Sequence, residues 1–163
     1  LITKVGNTLS PSLVTSHHLN RLPALAASVL EMKEFGEEYG HQIVKNSKAL
    51  ASALDKYGFN VLGKHKGFTE SHLMLVNLGD IIDHAPAKYL EKAGILVSDD
   101  FSGGSPEIRI GTPEITRKGF KEKDMEQIAI FFKRLLIDKE SPEIVARDVE
   151  EFSRQFSGVE YTF

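Results

Sequence analysis

One arginine in this 163-residue sequence has a setting that could serve anion recognition. It is Arg109, in the run Glu107-Ile108-Arg109-Ile110-Gly111-Thr112-Pro113-Glu114-Ile115-Thr116-Arg117-Lys118-Gly119-Phe120. Alternate side chains of a strand point to opposite faces, so Ile108 and Ile110 share one face and Arg109 projects from the other. Gly111 and Pro113 then end the strand, because glycine relaxes the backbone and proline cannot donate to a ladder. A guanidinium held this way offers a planar fork to a carboxylate or a phosphate. The local pattern equally fits the commoner case, a solvated arginine or one in a surface ion pair.

Other groups carry less. His17 and His18 are adjacent and diverge by about 100° on a helix, and no HExxH or His-x3-His spacing occurs. His41, His65, His72 and His84 fall in different elements, so no metal site is expected. Ser102-Gly103-Gly104-Ser105 has the look of a phosphate loop but lacks the following Gly-Lys-Ser/Thr, and reads as a flexible turn. Asp99 and Asp100 are neighbours in an extended segment, face opposite ways, and read as an exposed acidic loop.

The elements that must position Arg109 follow from periodicity. The first fifteen residues are polar and punctuated by Gly, Ser and Pro, which predicts an extended lead-in. From Ser16 the pattern is helical: Leu22, Leu25, Ala26, Val29 and Met32 recur at three and four, with Thr15 or Ser16 as N-cap. Ile43, Ser47, Leu50, Ala51 and Leu54 continue the period to Gly58. That is one long helix, or two with a kink near Gly40. Short apolar runs predict strands at Phe59 to Leu62, Leu73 to Leu78, Ile95 to Val97 and Ile108 to Ile110. Helices are predicted at Ala85 to Ala93, ended by Gly94, and around Met125 to Leu136. A last one follows Ser141-Pro142, with Val145, Val149, Phe152 and Phe156 on one face. This order implies an α+β (α/β two-layer) fold, a small mixed or antiparallel sheet with helices on one face.

Composition bounds the function. A hydrophobic content of 41% in this length buries one modest core. A formal charge of −3 gives no electrostatic footprint for nucleic acid or an anionic membrane surface. No cysteine means no disulfide and no thiolate metal site, which fits a reducing cytoplasm. The longest apolar runs are far below the roughly 20 residues of a membrane span. The chain begins at Leu1, not at methionine, and reads as an internal cut in a longer protein.

Several segments in order resemble one family. They are Ser16-His17-His18-Leu19-Asn20-Arg21-Leu22-Pro23-Ala24-Leu25, Glu31-Met32, Phe35-Gly36-Glu37-Glu38-Tyr39, Val44-Lys45-Asn46-Ser47-Lys48-Ala49-Leu50-Ala51 and the Arg109 run. Together, from about Val14 to about Leu136, they are similar to serine hydroxymethyltransferase in its archaeal form. The resemblance implies the C-terminal small domain of a fold-type I pyridoxal-phosphate transferase, residues 16–163 with the long connecting helix, after a 1–15 lead-in from a missing large domain. It also implies serine–glycine interconversion, with tetrahydrofolate or another tetrahydropterin as one-carbon carrier. Arg109 would bind the substrate carboxylate. Ser16 and His17, at a helix N-terminus, would reach the cofactor phosphate, or else serve as N-cap and surface histidine. The cofactor lysine of the family lies in a Thr-His-Lys-Thr type motif that this sequence lacks, so the 163 residues alone are expected to be inactive. A homodimer is implied, with apolar groups around Leu9, Leu13, Leu19 and Leu22 left uncovered by loss of the large domain. The sequence departs from the family at Val97-Ser98-Asp99-Asp100, where Val-Asn-Lys-Asn is usual, and the added negative charge would repel an anionic pterin tail. That leaves two alternatives: a diverged pyridoxal-phosphate enzyme of aldolase, racemase or aminotransferase type, or a non-catalytic regulatory module.

Overall fold

The computed structural model describes residues 2–9, 18–79, 81, 85–99 and 106–163. Helix α1, Ile2–Asn7, is wholly exposed and stands where the sequence predicts an extended lead-in. Ile2, Val5 and Leu9 recur at three and four, no proline interrupts them, and Thr8 Oγ1 donates back to the Lys4 carbonyl at 2.9 Å. Those local terms favour a helix over an extended chain. The predicted N-caps Thr15 and Ser16 lie outside the described residues.

Helix α2 runs unbroken over 35 residues, Leu22–Lys56, entered through a 3-10 turn at Leu19–Arg21 and with a proline in its first turn. Gly36 and Gly40 do not interrupt it. Each glycine costs a helix interior about 1 kcal/mol, and the packing of the second half offsets this. Its buried residues are Asn46, Ser47, Leu50, Ala51, Ala53 and Leu54. Leu22, Leu25, Val29 and Met32, in the first half, are exposed.

Among the described residues, three antiparallel strands follow in the order β1 (Asn60–Val61), β2 (Leu73–Asn77) and β3 (Glu107–Gly111). Met74 pairs with Ile110, Leu75 with Arg109 and Val76 with Ile108. Period-two alternation turns Met74, Val76, Ile108 and Ile110 into the core, against α2 and α5 (Met125–Leu136). Leu73, Leu75, Asn77, Glu107, Arg109 and Gly111 form the other, open face. The result is two layers with helices on one side of the sheet.

Two stretches differ from expectation. Residues 95–97 form no strand. The alternation is present, with Leu96 81% exposed between half-buried Ile95 and Val97. Only Ser98 pairs with β3, in an isolated bridge to Arg109. The segment leaves α3 (Pro86–Glu91) through Gly94 at φ 76°, with Ile95 N–H still bonded to the Leu90 carbonyl, and one pair is all the ladder it reaches. Conversely, Thr112-Pro113 begins a short helix, α4 (Pro113–Arg117), rather than a simple turn. Proline at the first helical position and Glu114 in the first turn are helix-start chemistry. Helix α6, Pro142–Ser153, docks through Val145, Val149, Phe152 and Phe156. Phe156 stacks on Phe120 with ring centroids 3.7 Å apart.

The layers are joined by a buried amide. Asn46 Nδ2 donates to Thr116 Oγ1 at 2.9 Å and to the Phe120 carbonyl at 2.8 Å, while Asn46 Oδ1 accepts from Gln42 Nε2 at 2.9 Å. Asn46→Ala should therefore lower unfolding free energy by about 2–3 kcal/mol, since the Phe120 carbonyl would be left buried and unpaired. Urea denaturation measures this.

Candidate functional site

Arg109 lies mid-strand on β3, on the open face, as its position between Ile108 and Ile110 requires. Its backbone is held on both sides: Leu75 of β2 lies opposite it, and Ser98 exchanges two bonds with it, Arg109 N–H to Ser98 O at 2.8 Å and Ser98 N–H to Arg109 O at 3.1 Å. A cleft of about 440 Å3 is lined by His72, Leu73, Leu96, Val97, Ser98, Arg109 and Gly111. One guanidinium among mostly short or apolar neighbours suits a small anion with little else to bury.

The end of β3 is fixed by a corner. Thr112 is fully buried; its N–H donates to the His72 carbonyl at 3.0 Å and its Oγ1 to the Ile43 carbonyl of α2 at 3.1 Å. Thr116 Oγ1 in turn donates to the Thr112 carbonyl at 2.7 Å while accepting from Asn46. Tyr39 Oη donates to the Pro113 carbonyl at 3.0 Å. None of Asn46, Thr112 and Tyr39 is assigned a role from sequence. Asn46 had a signal, a polar residue three after Ile43 and four before Leu50 on the buried face.

Asp99 departs from an exposed acidic loop. It is half-buried, and its Oδ2 accepts from the Ala87 N–H at 3.0 Å, satisfying an orphan donor at the start of α3. Asp100, Ser102 to Ser105, Ser16 and His17 lie outside the described residues. Of the histidines, His72 borders the cleft, while His41 is exposed on α2 and His65 in the β1–β2 connection. Among the described residues no group of three His, Asp or Glu is placed to hold a metal ion.

The serine hydroxymethyltransferase family model matches residues 1–132, which takes in α2, the sheet, the Arg109 corner and most of α5. This chain belongs to the serine hydroxymethyltransferase family. Curated serine hydroxymethyltransferases are similar over almost all of it: that of Methanocaldococcus jannaschii is 44% identical over 98% of the chain. Those of Staphylothermus marinus and Metallosphaera sedula are each 43% identical, over 98% and 97% of the chain. The chain spans 38–40% of the length of these relatives. Among solved structures, L-threonine transaldolase from Pseudomonas fluorescens in its internal aldimine state superposes with a TM-score of 0.84. It is 34% identical and matches over 95% of this chain and 37% of its own. A hydroxymethyltransferase-family sequence and a transaldolase structure thus share the two layers that carry Arg109.

Gly111 shares the face of Arg109 at the cleft floor. A β-carbon built there would meet only Pro113 Cδ at 3.6 Å and the His72 carbonyl oxygen at 3.8 Å, both ordinary contacts. Gly111→Ala should therefore hold or raise stability by up to about 0.5–1 kcal/mol, by removing glycine's entropic cost in a strand. A thermal melt checks this.

Proposed function

We propose that this chain is the substrate-gripping part of a pyridoxal-phosphate-dependent hydroxymethyltransferase that interconverts serine and glycine. The observation that carries the reading is Arg109: a guanidinium on the open sheet face, in a cleft, within a family match that covers its strand and corner. Residues 16–163 would be the small C-terminal domain with its connecting helix, and 1–15 the entry from a larger domain. The protein would work in the cytoplasm.

The residues of this chain fit the amino-acid end of such a site. In this reading Arg109 would give two parallel N–H donors to an α-carboxylate, a bidentate contact worth roughly 1.5–3 kcal/mol. Holding both oxygens would also fix rotation about the α-carbon, and with it which of that carbon's bonds is presented for cleavage. Leu73, Leu96 and Val97 line the same cleft and offer apolar surface beside the carboxylate's α-carbon. When bound, pyridoxal phosphate supplies the electron sink for the pair left as a bond at the α-carbon breaks. Its phosphate would be met by Ser16 and His17, and its lysine would come from sequence outside this chain. Tetrahydrofolate or another tetrahydropterin would carry the one-carbon unit. Asp99 accepts from the Ala87 N–H, so its carboxylate is tied to the start of α3.

A second reading, aldol-type exchange on a 3-hydroxy amino acid, has the similarity to the threonine transaldolase in its favour. Both readings use Arg109 in the same way and differ in the acceptor. Dependence of serine turnover on a tetrahydropterin separates them.

Arg109→Ala in the full-length protein should lower kcat/KM for serine at least ~100-fold while cofactor occupancy stays near normal, because the contact serves both binding and orientation. Arg109→Lys should not rescue it, since a point-like ammonium cannot reproduce the fork. Near-normal efficiency in the alanine variant would return Arg109 to a structural role.

A homodimer belongs to the same proposal. Leu19, Leu22, Leu25, Val29 and Met32 on the entry side of α2, with Leu9 before it, are 42–66% exposed. Apolar surface of this kind is generally covered in an assembly. Light scattering of the full-length protein over a hundredfold dilution should report twice the chain mass, and a monomer throughout would remove the assignment.

A further inference from the structure

The Arg109 corner has an attachment that leads away from the core to the end of the chain. Tyr39 Oη holds the Pro113 carbonyl, four residues beyond Arg109, from the α2 side. The ring of Tyr161 covers that of Tyr39, with centroids 5.0 Å apart. Tyr161 is only 8% exposed although it lies two residues from Phe163, and its φ of 59° is one that a residue with a β-carbon rarely adopts. Such a conformation persists where surrounding contacts over-determine it.

Tyr161 and its neighbours are held by several such contacts. Lys121 Nζ donates to the Tyr161 hydroxyl at 3.0 Å, and Arg117 Nη1 to its carbonyl at 3.3 Å. Next to it, the Glu160 N–H donates to the Arg117 carbonyl at 2.7 Å. Thr162 Oγ1 donates to Glu31 Oε1 at 2.5 Å, and Glu31 Oε2 takes Arg117 Nη2 at 2.7 Å. Phe163 packs its ring on Phe35 at 5.5 Å. Glu31, Phe35 and Tyr39 are successive fourth residues, so the segment runs along a single ridge of α2. Burial pushes the Tyr39 hydroxyl pKa up, and the Thr162 and Arg117 bonds hold the Glu31 carboxyl below its usual range, as closed contacts do.

We propose that residues 157–163 form a latch that positions Arg109, acting through Tyr39 and the Pro113 carbonyl. The α4 helix is then gripped at both ends: Pro113 by Tyr39, and Arg117 by Glu31, Glu160 and Tyr161. Neither Tyr39 nor Tyr161 belongs to the main apolar cluster around Leu50, Ile108 and Phe132. The latch therefore sets the corner and leaves the core's own packing untouched. Tyr39 and Tyr161 are positioning residues, and their effect on substrate rests on the reading of Arg109 as carboxylate ligand.

The test uses Tyr39→Phe, which keeps the ring and drops the hydroxyl, Tyr161→Ala, which removes the cover, and the double variant, all in the full-length protein. Hydrogen-exchange mass spectrometry of peptides spanning 107–116 should show about tenfold faster exchange in each single variant. The double should be no faster than the stronger single, because both cut one link. Peptides within α5 should be unchanged, and Tyr161→Phe, which keeps the cover and loses only the Lys121 bond, should fall between wild type and Tyr161→Ala. In the same proteins KM for serine should rise roughly 3- to 10-fold and kcat should fall with it, cofactor occupancy staying near normal, as expected when a group that both binds and orients is displaced. Unchanged exchange over 107–116 in both single variants, or additive effects in the double, would overturn the latch. So would normal KM values in an assay where Arg109→Ala raises KM. If Arg109→Ala itself leaves KM normal, the carboxylate reading fails, and the exchange result alone judges the latch.

Discussion

The side-chain amide of Asn46 is the interaction on which the arrangement turns. It sits inside α2 with no exposure, and both of its N–H groups and its oxygen are bonded within the fold. Its two acceptors, Thr116 Oγ1 and the Phe120 carbonyl, both lie beyond the end of β3. The relation between the long helix and the Arg109 strand is therefore keyed by direction as well as by burial. An apolar contact tolerates a slide or a small rotation, whereas a buried amide that loses its partners incurs the full desolvation penalty. One turn earlier on the same helix, the Ile43 carbonyl accepts from Thr112. Two successive turns of α2 thus specify where β3 stops.

That keying explains which parts of the molecule the sequence made legible. Periodicity exposes anything that buries a stripe, and the second half of α2, α5, α6, β2 and β3 follow from it, while the first half of α2 keeps the period with its apolar residues exposed. The face of Arg109 is legible for the same reason, since two isoleucines that must be buried leave the residue between them no other side. Polar connections are not periodic, so Tyr39, Asn46 and Thr112 carry no comparable mark. The Thr-Pro-Glu sequence was ambiguous by nature: proline preceded by glycine and threonine serves a turn and a first helical residue equally well. The segment 95–98 shows the opposite error, an alternation without enough neighbours to become a strand. Alternation records burial, while a strand also needs a ladder.

The open face of the sheet has a consistent chemistry. Leu73 and Leu75 are half-buried, and Arg109 and Gly111 beside them are exposed. The pairing of β3 with Ser98 on its outer side fills one place of an edge that would otherwise present a row of unpaired backbone groups. The same backbone exchange restrains the strand at the residue whose side chain faces the cleft. Edge protection and placement of the guanidinium are accomplished by a single residue pair.

The length of α2 has a mechanical consequence. At 1.5 Å per residue, 35 residues extend roughly 50 Å, about the size of the whole domain. All of its fully buried residues lie between Asn46 and Leu54, which makes that end the main anchorage, while Glu31, Phe35 and Tyr39 tie the stretch before it to residues 113–117 and 157–163. A tilt of some 5° about that anchorage carries the far tip through roughly 3 Å, since the tip stands about 35 Å away. Rearrangements too small to disturb a close-packed interior are thereby amplified into displacements comparable to a hydrogen-bond length. Whatever engages the tip can, by leverage, sense a fraction of an ångström at the corner where β3 ends.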